Sequence, residues 1–278
     1  MKKERAARFG PVVYRTWKLG SKGVKRDEKN KKYLDYGMGL RSVNIGYSEN
    51  IVNKGAINQI LNGNNLTRPS LVELKAANLL TEIIDSADMV KFTKNGSTAV
   101  TAAVKLARAY NRKKIILRCS DHPFFSYDDW FIGSTNIKRG VPSDISNLTV
   151  NFKYNDIDGL KKTIKRLKAK NISCLVLEPA TNICPKIDDQ NGCCMKAKCS
   201  RNYFSNIHFL KEVEQLCKNN NIIFILDEMI TGFRWHLKGA QYIYNVKPDL
   251  STFGKAMANG FSVACVAGKR EIMELGSI

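Results

Sequence analysis

The stretch NNNIIFILDEMITGF, residues 219–233, sets an unbroken apolar run, Ile222 to Leu226, between a polar turn and the carboxylate of Asp227. A run this short, rich in β-branched and aromatic residues, reads as a strand buried on both faces. The segment before it, IHFLKEVEQLCKNNN (207–221), repeats apolar residues every three or four positions and reads as a helix. Working outward, the same alternation recurs. NGSTAVTAAVKLARAY (95–110) is helical and precedes the strand KKIILRC (113–119), and DIDGLKKTIKRLKAK (156–170) is helical and precedes the strand CLVLEP (174–179). MVKFT (89–93), NLTVNF (147–152), LSTFGK (250–255) and FSVACVAG (261–268) read as further strands, and LVELKAANLLTEII (71–84) as a further helix started by Pro69-Ser70. Near the N-terminus, RDEKNKKYLDYGMG reads as a strand pair around a polar turn. Strands alternating with helices imply right-handed crossovers and an α/β fold, a mostly parallel sheet with helices on both faces.

The chain has 278 residues and a formal charge of +20. Its lysines stand singly or in pairs rather than in a dense basic block with interleaved aromatics, so the charge reads as a solvated surface and not as a nucleic-acid interface. No stretch approaches the roughly 20 apolar residues of a membrane span. With no apolar leader after the basic start, the expected location is cytoplasmic. Eight cysteines suit a reducing compartment better than a disulfide framework. Cys184, Cys193, Cys194 and Cys199 cluster in CPKIDDQNGCCMKAKC, a candidate zinc or iron–sulfur site whose spacing matches no strong ligand pattern; incidental thiols in a loop insertion explain it as well.

In parallel sheets the carboxyl ends of the strands carry the ligand, and five of them here end in distinctive groups. Asn95-Gly96-Ser97-Thr98 follows MVKFTK, Asp121-His122 follows IILRCS, Glu178 follows CLVL, Asp227-Glu228 follows IIFIL, and Lys255 follows LSTFG. Gly96, Ser97 and Thr98 open a helix whose free amides and hydroxyls would cup a phosphate, although an ordinary helix cap accounts for the same residues. Asp227 closes a buried run and needs a cation or several donors. Lys255 sits among small and apolar residues, where burial lowers an amine's pKa and makes it a nucleophile toward carbonyls. Pyridoxal 5'-phosphate (PLP) offers a matching handle to each: a phosphate, a ring nitrogen that an acid keeps protonated, and an aldehyde.

The segment LDEMITGFRWHLKGAQYIYNVKPDLSTFGKAMANGFSVACVAGKREIM (226–273) resembles class-III aminotransferases of PLP fold type I, in particular the glutamate-1-semialdehyde 2,1-aminomutase branch. The likeness rests on DE-x-x-TGFR, GAQ, PDL-x-T-x-GK and GKREIM, and extends more loosely through LEP, NGSTAVTAAVKLARAY and KKYLDYGMGLRSVNIGYS. It implies that Lys255 bonds the PLP aldehyde and moves the substrate's α-proton, and that Asp227 pairs with the ring nitrogen. Met229 would lie under the ring, Gly96, Ser97 and Thr98 would hold the phosphate, and Glu178 would stand near the cofactor. Many relatives read YHG where this chain has Asp121-His122-Pro123-Phe124-Phe125, so either His122 or Phe124 would stack on the ring. The phosphate turn also differs, NGSTA in place of NSGTE.

The resemblance implies a homodimer acting on a small amino or keto compound. It also implies an N-terminal lobe over residues 1–50, a large PLP-binding domain over residues 51–278, and a C-terminal small domain that this chain lacks. Aminomutase-like GAQ and GKREIM favour an intramolecular amino-group shift, whereas the changed DHPFFS loop favours a transferase acting on a keto or aldehyde sugar or a small keto acid. A reading of another class is an inactive fragment, or a metal-binding regulatory protein on the same fold.

Overall fold

A computed structural model describes residues 18–19, 24–26, 29–63, 66–180, 183–186 and 208–276. The chain divides into two compact units, residues 1–64 and 65–278.

In the first unit the strand pair expected around RDEKNKKYL forms, with a third strand beside it. β1 (Lys18–Leu19), β2 (Val24–Arg26) and β3 (Lys32–Leu34) make an antiparallel sheet in that order. Asp35 then organises the next turn, accepting hydrogen bonds from Gly37 N (3.1 Å), Gly39 N (3.3 Å) and the Tyr47 hydroxyl. Helix α1 (Asn50–Asn62) follows, capped by the Glu49 carboxylate, which accepts from Ile51 N. Its sequence gives little warning: Gly55 and four asparagines are poor helix formers and interrupt any apolar stripe.

The second unit is built on a seven-stranded sheet. Its strands are β4 (Met89–Thr93), β5 (Ile115–Cys119), β6 (Thr149–Phe152), β7 (Ile172–Leu177), β8 (Ile223–Asp227), β9 (Leu250–Phe253) and β10 (Ala264–Gly268), in the order β4-β10-β9-β8-β7-β5-β6. All neighbours pair in parallel except β10, which runs antiparallel to both β4 and β9. The residues between β9 and β10, 254–263, are too few for the dozen or more that a parallel crossover requires, so the chain turns back on itself.

Every residue of β7 and β8 is buried, which explains their continuous apolar sequences. Alternate side chains serve opposite faces. Leu175, Leu177, Phe224 and Leu226 pack with helices α4 (Ile157–Leu167) and α5 (Phe209–Asn219). Cys174, Val176, Ile223 and Ile225 pack with α3 (Gly96–Asn111). Helix α2 (Leu71–Ile83) starts at Ser70, whose hydroxyl accepts from Glu73 N, and its Leu80 joins Ile84, Phe253 and Cys265 in a third apolar cluster. Among the described residues no helix is long and apolar enough to cross a membrane.

Candidate active site

The parallel register aligns Asp227, the last residue of β8, with Thr252 of β9. Thr252 Oγ1 donates to Asp227 Oδ1 at 2.9 Å, and Met229 N donates to the same oxygen at 2.9 Å. Oδ2 accepts no hydrogen bond from the described residues. Burial pushes the carboxyl up to about 6, against the pull of those two donors and of the positive charge on Lys255. Lys255 opens the turn directly after β9 and is half-buried. Its φ is 45°, a left-handed conformation that costs a side-chain-bearing residue about 1 kcal/mol, so the turn holds this lysine under strain.

Glu228 is wholly buried and turns the other way. Its Oε2 accepts from Thr231 Oγ1 (2.7 Å) and Ala240 N (2.7 Å), and its Oε1 from Gln241 N (2.9 Å) and Gln241 Nε2 (3.2 Å). It therefore ties the TGF turn and the GAQ segment to the end of β8.

Met229 bridges β8 to the turn after β4. A Cβ placed on Gly96 would lie 2.8 Å from the Met229 Sδ, and one on Gly254 would lie 2.7 Å from the same atom. Both glycines are thus needed for room rather than for an unusual φ. They bring the anion turn, the Asp227 segment and the Lys255 segment around one thioether.

The turn itself is a capped helix start. Asn95 Oδ1 accepts from Thr98 N (2.9 Å) and from Thr98 Oγ1 (3.0 Å), so the Thr98 hydroxyl is committed to the cap. Ser97 Oγ accepts from Tyr127 N at 2.7 Å and meets Ser126 Oγ at 2.9 Å, which fastens the loop after β5 to the start of α3.

His122 is buried at the end of β5. Its Nδ1 accepts from Glu178 N at 3.0 Å, which leaves the ring proton on Nε2, and burial lowers its pKa to about 4. The imidazole lies between Phe125 and Tyr154, at centroid distances of 5.9 and 5.2 Å. Phe124 is exposed and packs edge-on against Tyr127 and Phe131. The Asp121 carboxylate faces β6, accepting from Tyr154 N at 2.7 Å. Glu178 is buried beside His122 at the end of β7.

Contacts therefore link Asp227, Met229, Gly96, Ser97 and, through Tyr127, Phe124. Lys255 acts on Asp227 by its charge, and His122 and Glu178 pair with each other. Cys184 is buried and disulfide-bonded, so against the sequence expectation it offers no thiolate to a metal cluster, and its carbonyl accepts from Asn155 Nδ2. Cys193, Cys194 and Cys199 lie outside the described residues. Reading the strand ends left out Thr252, Ser126, Thr101 and Trp130. Thr252 was within reach, because a parallel register puts a β9 hydroxyl beside the β8 acid.

Solved structures share this architecture. An ω-transaminase from Sphaerobacter thermophilus superposes with a TM-score of 0.76 at 24% identity, over 97% of this chain and 60% of its own. An amine transaminase from an uncultivated Pseudomonas species, in its PLP-bound form, gives 0.82 at 18%, over 99% and 67%. An acetylornithine aminotransferase from Elizabethkingia anophelis gives 0.70 at 23%, over 98% and 63%. The fold is that of the PLP-dependent transferases of fold type I. The sequence profile of class-III aminotransferases matches residues 15–182 and 200–277, and the chain belongs to that family. It spans about 60% of the length of the Sphaerobacter protein.

Proposed function

We propose that this chain carries the cofactor-binding part of a PLP-dependent enzyme that moves an amino group to or from a small amino or keto compound. The observation that carries the reading is the Asp227 carboxylate, buried at a strand end with both protein donors on Oδ1 and a lysine charge within electrostatic reach. Such a group fits a ligand that presents a protonated ring nitrogen to Oδ2. The remaining residues fit the same ligand: a strained, half-buried amine, a capped helix start bearing Ser97, and a floor made by Met229 between two glycines.

When bound, PLP supplies an aldehyde for amines and an electron-poor ring that stores charge. The chain's own residues then have separable tasks. Asp227 would keep the ring nitrogen protonated, because its ionised form is worth most beside a cation. Lys255 would be the residue that holds PLP by its aldehyde, and its amine would supply the group that moves a proton on the substrate. Ser97 and the first amides of α3 would hold the phosphate, and the absence of a side chain at Gly96 leaves room for the Met229 thioether beside them. Thr98, whose amide and hydroxyl protons both go to Asn95 Oδ1, holds the cap rather than the phosphate. Exposure favours Phe124 over the enclosed His122 as the ring that covers the cofactor, and Glu178 orients His122 beside it.

Within this class, the GAQ and GKREIM segments support a glutamate-1-semialdehyde 2,1-aminomutase-like reaction, and the DHPFFS loop supports a transferase acting on a keto or aldehyde sugar or a small keto acid. A homodimer and a cytoplasmic location belong to the same proposal. The test is a titration of the purified full chain with PLP. A visible-edge absorbance band should form and should vanish in Lys255→Ala. A chain that never gives a lysine-dependent band is not this enzyme, and the inactive or metal-binding reading takes its place.

A further inference from the structure

Behind the anion turn, three hydroxyls stand in line. Ser97 Oγ meets Ser126 Oγ at 2.9 Å, and Ser126 Oγ meets Thr101 Oγ1 at 2.8 Å. Ser126 is fully buried and Thr101 nearly so. Three groups that can only donate feed this line: Tyr127 N to Ser97 Oγ (2.7 Å), Asp128 N to Ser126 Oγ (3.0 Å) and Trp130 Nε1 to Thr101 Oγ1 (2.9 Å). Longer contacts run from Ser126 Oγ to Ser97 O (3.3 Å) and Asp128 Oδ2 (3.4 Å).

A hydroxyl has one proton and two lone pairs. Asp128 N occupies one lone pair of Ser126, so only one of Thr101 and Ser97 can donate to Ser126. If Thr101 donates, the Ser126 proton goes to Ser97 Oγ, its nearest acceptor at 2.9 Å against 3.3 Å for Ser97 O and 3.4 Å for Asp128 Oδ2. Both Ser97 lone pairs are then filled, by Tyr127 N and by Ser126, and the Ser97 proton points out of the chain. If Ser97 donates, all three protons reverse, and Ser97 turns a lone pair outward. An anion at the start of α3 stabilises the first arrangement and repels the second.

We propose that Ser126, backed by Thr101, is a positioning residue that fixes the Ser97 hydroxyl as an outward donor to a phosphate group. For PLP as the ligand, this rests on the function proposed above. The Trp130 indole lies at the far end of the line, so a phosphate on Ser97 shifts its N–H resonance through the hydroxyls.

Ser126→Ala and the near-isosteric Thr101→Val test this in the full chain, with thermal unfolding as the control for folding. Two ligands are compared by titration: PLP, and pyridoxal, which has the same ring and aldehyde without the phosphate. Losing one charge-assisted hydrogen bond weakens PLP by about tenfold in Ser126→Ala, with pyridoxal changed by less than about twofold. Thr101→Val shifts PLP in the same direction by a smaller factor. Equal weakening of both ligands, or unchanged PLP affinity in a folded variant, overturns the proposal.

Inorganic phosphate provides an arm that does not depend on the cofactor. It shifts the Trp130 indole N–H resonance, identified by Trp130→Phe, in the unmodified chain and leaves it in place in Ser126→Ala. If neither phosphate nor PLP moves that resonance in the unmodified chain, the relay is wrong even where the lysine-dependent band forms. If phosphate moves it and no band forms, the relay stands and the PLP reading fails.

Discussion

Asp227→Asn isolates the buried acid. The substituted amide keeps an acceptor for Met229 N and Thr252 Oγ1 but cannot ionise. Burial raises the Asp227 pKa from 3.8 to about 6, so between those values the folded chain holds more protons than the unfolded one. Stability must therefore fall as pH rises through that window, and the loss is complete above the folded value. A difference of about 2 units, at 1.36 kcal/mol per unit, sets the total at about 3 kcal/mol, of which about 2 kcal/mol falls between pH 4.5 and 7. Urea unfolding of both proteins across that range measures it. Ionisable groups remote from Asp227 contribute equally in both proteins and cancel in the difference. The variant should gain about 2 kcal/mol on the unmodified chain between pH 4.5 and 7. Saturating PLP should abolish that gain, because a ring N–H beside Oδ2 favours the ionised acid. A difference that stays constant across the range, within about 0.5 kcal/mol, would refute the claim that Asp227 is an unneutralised buried carboxyl.

Other consequences follow from individual contacts. Gly254→Ala should destabilise by about 1–3 kcal/mol, because the new Cβ meets the Met229 Sδ, and adding Met229→Ala should return part of that; thermal melts of the two variants and their double mutant measure the coupling. Glu228→Gln turns an amide N–H₂ toward groups that only donate and should cost about 1–3 kcal/mol; an unchanged melting temperature would mean that the GAQ segment is held by something else. His122 should stay neutral in the folded chain down to about pH 5, since burial lowers its pKa to about 4. Its contribution to stability is present at neutral pH and lost as pH falls from 6.5 toward 4, opposite in sign to that of Asp227. An NMR titration of its ring protons with a midpoint near 6.5 would contradict that burial.

The sheet and its ligand-bearing edge were legible because they depend on local pattern. Apolar runs such as CLVL and IIFIL announce doubly buried strands, and the residue that ends each run must lie at a carboxyl edge. Helix α1 was not legible, since Gly55 and its asparagines carry neither propensity nor stripe. Nor was the direction of β10 read, although the short connection from β9 contained that information. The Ser97–Ser126–Thr101–Trp130 line was invisible for a different reason. Its members lie 25–30 residues apart on a helix and on a loop that reads simply as aromatic, and no periodicity relates them. Asp227 and Lys255 could be singled out because a charge next to buried strands is conspicuous wherever it occurs. A buried serine is not.

The place of β10 has a bearing on how the chain is made. Lying between β4 and β9, it pairs Met89 with Gly268 and Thr93 with Ala264, residues about 170–180 positions apart. Until residues 264–268 have left the ribosome, β4 has no neighbour in its sheet, and the turn bearing Gly96 and Ser97 has no fixed position relative to Lys255. Helices and inner strands made earlier can fold in the order of synthesis, but the insertion of β10 must close a very long loop, a slow step that exposes an unpaired apolar edge while it waits. The site is thus assembled only after residues 264–268 have been made, and an interruption before β10 would leave its groups on separate pieces of structure.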